Sequence, residues 1–98
     1  MFENAEVVLK GTWLYDGCIT CHIRIIKWHT LYGSGDYEDP PEISDDKEIE
    51  CYYVIFESII DKGKIASSRG GFLTLSEAIT EAEEVTYQKI NWAEPNID

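Results

Sequence analysis

The first third of the chain has the residue composition and the period of two that are typical of β-strands. Residues 6–15 and 18–31 are rich in β-branched and aromatic side chains, and Asp16-Gly17 lies between them. Asp-Gly is a strong hairpin signal because both residue types tolerate the left-handed backbone of a tight turn. The pattern therefore predicts two antiparallel strands joined as a hairpin.

The register of this hairpin follows from the faces that each loop length would create. A two-residue loop would mix apolar and polar side chains on both faces of the strand pair. A three-residue loop, 15–17, places Trp13 opposite Ile19 and collects the apolar side chains on one face, with Lys10 opposite His22 on the other. We therefore predict the three-residue loop, and the face that carries His22 is the wetter one.

Two further strands follow a long polar loop. Residues 48–60 include an apolar run at 51–56, which is typical of a strand buried from two sides. Residues 64–72 form a weaker strand that two glycines at 70–71 interrupt. In the second strand the alternation changes phase at 25–26, which predicts a bulge or burial on both faces there. The simplest order for the four strands is a meander, 1-2-3-4.

A helix is predicted after the fourth strand. Thr74 and Glu77 have the spacing of a capping box, so the helix should begin there. The apolar residues that follow recur at helical spacing, at Leu75, Ala78, Ile79, Ala82, Val85 and Ile90. The predicted fold class is α+β, with a four-stranded antiparallel meander sheet and one C-terminal helix packed on one face. We expect residues 1–98 to form a single domain with an acidic loop at 33–47 and a short tail at 92–98.

One helix covers only one face of such a sheet, yet the third strand is apolar on both faces. Either Tyr52 and Phe56 or Tyr53 and Ile55 would lack a cover, and Trp28 could join them. Large exposed apolar patches are rare on monomers, and a two-fold symmetric dimer is the commonest way to bury one. The sequence therefore predicts a homodimer through the uncovered face.

The charge of the chain limits its partners. The net charge is −11, and its excess lies in residues 33–98 because residues 1–32 balance. A negative field repels nucleic-acid phosphates and anionic membrane surfaces and favours basic proteins. We therefore expect no direct nucleic-acid or membrane binding. The acidic surface offered to a basic partner comprises Asp36, Glu38, Asp39, Asp45, Asp46, Glu77, Glu81 and Glu84.

The N-terminus lacks the basic start and apolar core of a signal peptide, and no apolar run has the length of a membrane span. Three cysteines in such a chain are typical of reduced thiols rather than a disulfide framework. These features lead us to expect a cytoplasmic protein.

The run Cys18-Ile19-Thr20-Cys21-His22 matches the pattern of c-type haem attachment. On a regular strand, however, Cys18 and Cys21 point to opposite faces, so they cannot converge on haem. The same separation weakens a zinc site that would also use His22 and Cys51, since tetrahedral coordination needs four converging ligands. We predict no cofactor and no metal.

The remaining candidates suit ligand binding better than catalysis. A nucleophile, a base and an orienting group do not fall together in the predicted register, which favours a non-enzymatic role. The leading hypothesis is a homodimeric binding module for a basic protein partner. The alternative is a small-molecule-binding protein or small enzyme with an aromatic-lined pocket between sheet and helix or at the dimer interface. The predicted binding residues are His22, Arg69, Tyr52, Phe56 and Trp28.

Overall fold

A computed structural model describes residues 4–33, 35, 38–58 and 64–93. These residues form one antiparallel sheet with a helix packed on it, which confirms the α+β class. The elements in chain order are β1 (Glu6–Tyr15), β2 (Ile19–Leu31), α1 (Pro41–Ser44), β3 (Lys47–Glu57), β4 (Ile65–Phe72), α2 (Leu75–Thr86) and β5 (Asn91–Ala93).

The sheet has five strands in the order β4-β3-β2-β1-β5, so the prediction of four strands was wrong. The first four strands do form the predicted meander. The fifth strand is Asn91–Ala93, and its last two residues belong to the segment that we predicted to be a tail. It pairs antiparallel with β1, with Gly11 opposite Trp92. A side chain at Gly11 would collide with Ile90 and Trp92, so this glycine makes room for the last strand.

The hairpin has a three-residue connection, but it lies one residue later than predicted. Trp13 is opposite Cys21 rather than Ile19, and Tyr15 is opposite Ile19. The reason is local: the turn is centred on Asp16 and Gly17, which both have positive φ, at 55° and 73°, and the Cys18 N–H donates to the Tyr15 carbonyl at 3.1 Å. The shift moves each partner by two residues, so every side chain keeps its predicted face.

Burial on both faces at Ile25 and Ile26 confirms the predicted change of phase. The register slips on the neighbouring strand, where Val8 is the extra residue between the pairs Val7–Ile26 and Leu9–Ile25. A bulge of this kind turns the following side chains to the opposite face. The extra residue lies on β1, and β2 keeps its alternation. Ile25 therefore points to the side of the sheet that α2 covers, and Ile26 to the other side, where a second apolar cluster buries it.

The helix begins where its capping box predicts. The Glu77 backbone N–H donates to the Thr74 hydroxyl at 3.1 Å, and the Thr74 N–H donates to the Glu77 carboxylate at 3.2 Å. Ala78 and Ala82 have no exposed surface and pack onto a sheet face built from Ile23, Ile25 and Val54 among others. We call this side of the sheet the helix face.

The other side, which we call the open face, has an apolar cluster of its own. Ile26, Cys51, Tyr53 and Ile55 are buried there within a single chain. The Tyr53 hydroxyl donates to the Thr30 carbonyl at 3.2 Å and accepts from the Tyr32 N–H at 3.0 Å. The argument that these side chains need a second copy as a cover therefore no longer holds.

The acidic loop at 33–47 contains the short helix α1 and folds back on itself. Ser44 O accepts from the Gly35 N–H at 3.2 Å, and the Asp46 carboxylate accepts from the Gly33 N–H at 2.9 Å. These two hydrogen bonds link the described residues at the two ends of the segment.

The stability of the protein is expected to fall above pH 9. Burial raises the pKa of the Cys51 thiol above its ordinary value of 9.0 and that of the Tyr53 phenol above 10.0. The unfolded chain therefore loses these protons first as pH rises, and the stability present below pH 9 decreases above it. Urea denaturation at pH values spanning 9.0 and 10.0 measures this slope. Tyr53→Phe, although less stable overall, should show a shallower decline, and an unchanged slope would contradict the assignment.

Candidate functional site

A pocket of about 250 Å³ opens on the helix face, between the end of the first hairpin and the last turn of α2. The ends of β1 and β3 and the start of β4 meet at this edge of the sheet, which brings together side chains that are far apart in the chain. Its lining residues are Trp13, Tyr15, Phe56, Glu57, Ala66, Ser67, Arg69, Val85 and Thr86.

Three aromatic rings dominate this helix–sheet pocket. The Trp13 and Phe56 ring centroids are 6.5 Å apart with an angle of 88° between the planes, and those of Trp13 and Tyr15 are 6.1 Å apart at 75°. The indole of Trp13 reaches Phe56 across β2, where its own ladder partner is the small Cys21. Edge-to-face geometry is the preferred arrangement of aromatic pairs, so the walls support one another.

Contacts between the end of α2 and the first hairpin hold together two of the elements that form the pocket. The side-chain amide of Gln88 accepts from the Leu14 N–H at 3.0 Å and donates to the Leu14 carbonyl at 3.0 Å. Leu14 pairs with Thr20 on β2, but on its other side it lies beyond the last β1–β5 pair, Thr12–Asn91. Gln88 takes the place of a strand partner on that side and links α2 to β1. The pocket is therefore preformed in the fold.

The charges around the pocket favour a cation. Arg69 donates to Glu81 at 3.0 Å, so these two charges offset each other. Glu57 adds a carboxylate to the lining. The last turn of α2, which contains Val85 and Thr86, carries no basic residue, and a helix C-terminus has a partial negative charge. Apart from the paired Arg69, the described lining therefore contributes no positive charge, in a chain whose net charge is −11.

Trp13 has a further feature that packing does not explain. Its indole Nε1 is buried and has no hydrogen-bond partner in the described part of the chain. A buried donor without a partner costs about 1–3 kcal/mol, and a phenylalanine ring would fill much of the same space without that cost. The N–H is thus a cost of placing an indole rather than a phenyl ring here, and the indole is the aromatic ring with the strongest attraction for a cation.

Two of the five predicted binding residues, Phe56 and Arg69, lie together in this pocket. Tyr52 is on the helix face but outside the pocket lining. His22 and Trp28 lie on the open face, since His22 is opposite Thr12 and Trp28 packs with the Ile26 cluster. The sequence-based prediction grouped these five residues without assigning all of them to one face of the sheet.

The predicted acidic surface is partly occupied by contacts within the chain. Asp46 binds the Gly33 amide, Glu77 completes the helix cap and Glu81 binds Arg69. Asp36 lies outside the described residues. Glu38, Asp39, Asp45 and Glu84 are exposed or half-buried.

Trp13 and Tyr15 were not named as site residues from the sequence. Alternation placed Trp13 on the apolar face of the hairpin, where core packing is the ordinary explanation of an aromatic residue. The only signal was the high aromatic content of a chain of this length.

The cysteines do not converge. Cys18 is exposed, whereas Cys21 and Cys51 are buried, and Cys51 belongs to the open-face cluster. Among the described residues, no three His, Cys, Asp or Glu side chains are grouped in a way that could hold a metal ion.

No family model, no curated protein and no solved structure matches this chain. Within the described ranges, none of the helices has the length and apolar character needed to cross a membrane. A function must therefore be argued from the pocket itself.

Proposed function

We propose that this protein is a binding module for a small organic cation with an apolar body, such as an alkylated ammonium, in the helix–sheet pocket. The observation that carries the proposal is the set of three rings, Trp13, Tyr15 and Phe56, beside Glu57 at the negative end of α2. A cation over an aromatic face gains about 0.5–2 kcal/mol, and tryptophan gives the largest gain.

This proposal replaces the leading hypothesis by its alternative, a ligand pocket between sheet and helix, and adds the charge of the ligand. An anionic ligand would have to displace Glu81 from Arg69 and would be repelled by Glu57. A neutral ligand would gain no charge–charge attraction from Arg69 or from Glu57.

The test is a calorimetric titration with benzyltrimethylammonium, and with phenylacetate as the ligand of opposite charge. We expect the ammonium to bind and the carboxylate not to bind. Trp13→Phe keeps a ring and removes the buried donor, so the fold should persist while the affinity falls by about 2- to 30-fold. Tyr15→Leu, at an exposed position, should weaken binding by a similar factor.

Trp28→Leu is the matched control, because it removes an aromatic ring on the open face. It should leave the dissociation constant unchanged. Equal losses in Trp28→Leu and Trp13→Phe would mean that the probe binds rings nonspecifically. Binding of phenylacetate that disappears in Arg69→Gln would overturn the proposal in favour of an anion site.

A basic protein partner is the second candidate. The observation that favours it is Tyr87, which ends α2 in the left-handed conformation with 95% of its surface exposed, next to Glu83 and Glu84. Exposed aromatic residues are frequent anchors in interfaces. The predicted homodimer is not part of the proposal, since the open-face residues on which it rested are buried in one chain.

A further inference from the structure

The open face carries a second concavity, of about 360 Å³, that the proposed function does not use. Its ionisable side chains come from three strands: Lys10 on β1, His22 and Arg24 on β2, and Glu57 on β3. Lys10 and Arg24 are direct ladder partners, so their side chains leave the sheet side by side on the same face. Two cations therefore stand next to each other in a chain with a net charge of −11.

These cations have no side-chain hydrogen bond or ion pair among the described residues. Lys27, on the same strand, has two carboxylates close to its ammonium group, Glu50 at 3.4 Å and Glu6 at 4.0 Å. Like charges directly opposite each other destabilise a sheet. In the described lining, Glu57 is the one carboxylate residue against Lys10 and Arg24, so the lining keeps an excess of positive charge that a bound anion would offset.

We propose that Lys10, Arg24 and His22 form a binding site for the phosphate group of a small molecule. The guanidinium fork and the ammonium supply charge-assisted donors, and the imidazole can add a third. A phosphate offers the oxygen array that such a set recognises. The volume exceeds that of phosphate alone, so it leaves room for an organic body that Val7 would contact.

The occupant is a small anion rather than a polyanion or an acidic protein. The negative field of the whole chain repels a long polyanion over its full length, but a small ion meets only the local potential of the cation pair. Glu57 also lines the concavity and opposes an anion on the β3 side, so we expect the phosphate to lie between Lys10 and Arg24 on β1 and β2. Glu57 lines both concavities, but the rings of the helix–sheet pocket and the cations of this site are different side chains, so the two proposals can be tested separately.

The test uses inorganic phosphate, with chloride at equal ionic strength as the reference. We expect the melting temperature to rise with phosphate in the wild type, and Lys10→Gln or Arg24→Gln to weaken binding at least about tenfold. Without phosphate, Lys10→Gln should melt about 1–6 °C above the wild type, because the repulsion is gone. Arg24→Lys, which keeps the charge but not the fork, should give intermediate affinity.

Lys47→Gln is the matched control, since it removes the same charge at an exposed position outside the site. It should change neither the phosphate response nor the melting temperature in chloride. An equal weakening in Lys47→Gln would show a response to net charge only and would overturn the site. The same conclusion would follow if phosphate gave no more stabilisation than chloride.

Discussion

Replacing Gly70 with alanine is expected to lower the free energy of unfolding by about 2–5 kcal/mol, the sum of a steric and a backbone cost. Gly70 lies opposite Tyr53 in the β3–β4 ladder and has φ of 155°, which other residues rarely adopt. A β-carbon there would lie 2.9 Å from Cγ and Cε1 of the Tyr53 ring. The ring cannot retreat, because its hydroxyl is held by Thr30 and Tyr32.

Urea denaturation of Gly70→Ala measures this cost against a total stability that is about 5–15 kcal/mol for a typical domain. Ser68→Ala, two residues away on the same strand and exposed, should change the midpoint little. In the double variant with Tyr53→Leu the cost of alanine should shrink, since the ring that it meets is absent. A Gly70→Ala variant as stable as the wild type would mean that the ring does not pack on this glycine.

The contact between Gly70 and Tyr53 shows which structural features could be predicted from the sequence and which could not. The glycines at 70–71 were understood as an interruption of a weak strand, which is a local conclusion. That they make room for one particular tyrosine depends on the β3–β4 register, which no local pattern determines. The helix start at Thr74 could be predicted because a capping box involves only four consecutive residues.

The hairpin register could not be predicted to the residue, for a different reason. Three-residue connections at 15–17 and at 16–18 place the same side chains on the same faces, so hydrophobic alternation cannot choose between them. The choice depends on the turn, where Asp16 and Gly17 both take the left-handed backbone. The fifth strand was missed because three residues, Asn-Trp-Ala, are too few to show a period.

Only part of the candidate site could be predicted, because its position depends on contacts between segments that are far apart in the chain. Phe56 and Arg69 were named from the sequence, but the pocket exists because the end of α2 returns to the first hairpin, where Gln88 binds Leu14 across 74 residues of chain. Local patterns carry no information on such a contact. They identified aromatic and charged residues, and the topology selected among them.

Truncating Ile55 to alanine is expected to destabilise the protein as much as truncating Ile25, by about 2–5 kcal/mol each. The two side chains are 1% and 0% exposed, yet they lie on opposite faces of the sheet and only the Ile25 side is covered by α2. The loss comes from the apolar contacts removed and from the cavity left behind. Thermal and urea unfolding of both variants provide the measurement, with Ile65→Ala, at a half-exposed position, as the control.

The dependence of the unfolding midpoint on protein concentration distinguishes a chain that covers its own open face from a dimer. If one chain covers its own open face, the midpoints of the wild type and of Ile55→Ala stay constant over a roughly hundredfold range of concentration, because unfolding is then unimolecular. If a second copy supplied the cover, the midpoint would rise with concentration and Ile55→Ala would abolish that rise, whereas Ile25→Ala would retain it. Burial of Ile26, Cys51 and Tyr53 around Ile55 within one chain leads us to expect constant midpoints. Constant midpoints would also leave the cation pair Lys10–Arg24 on that face accessible to a small anion.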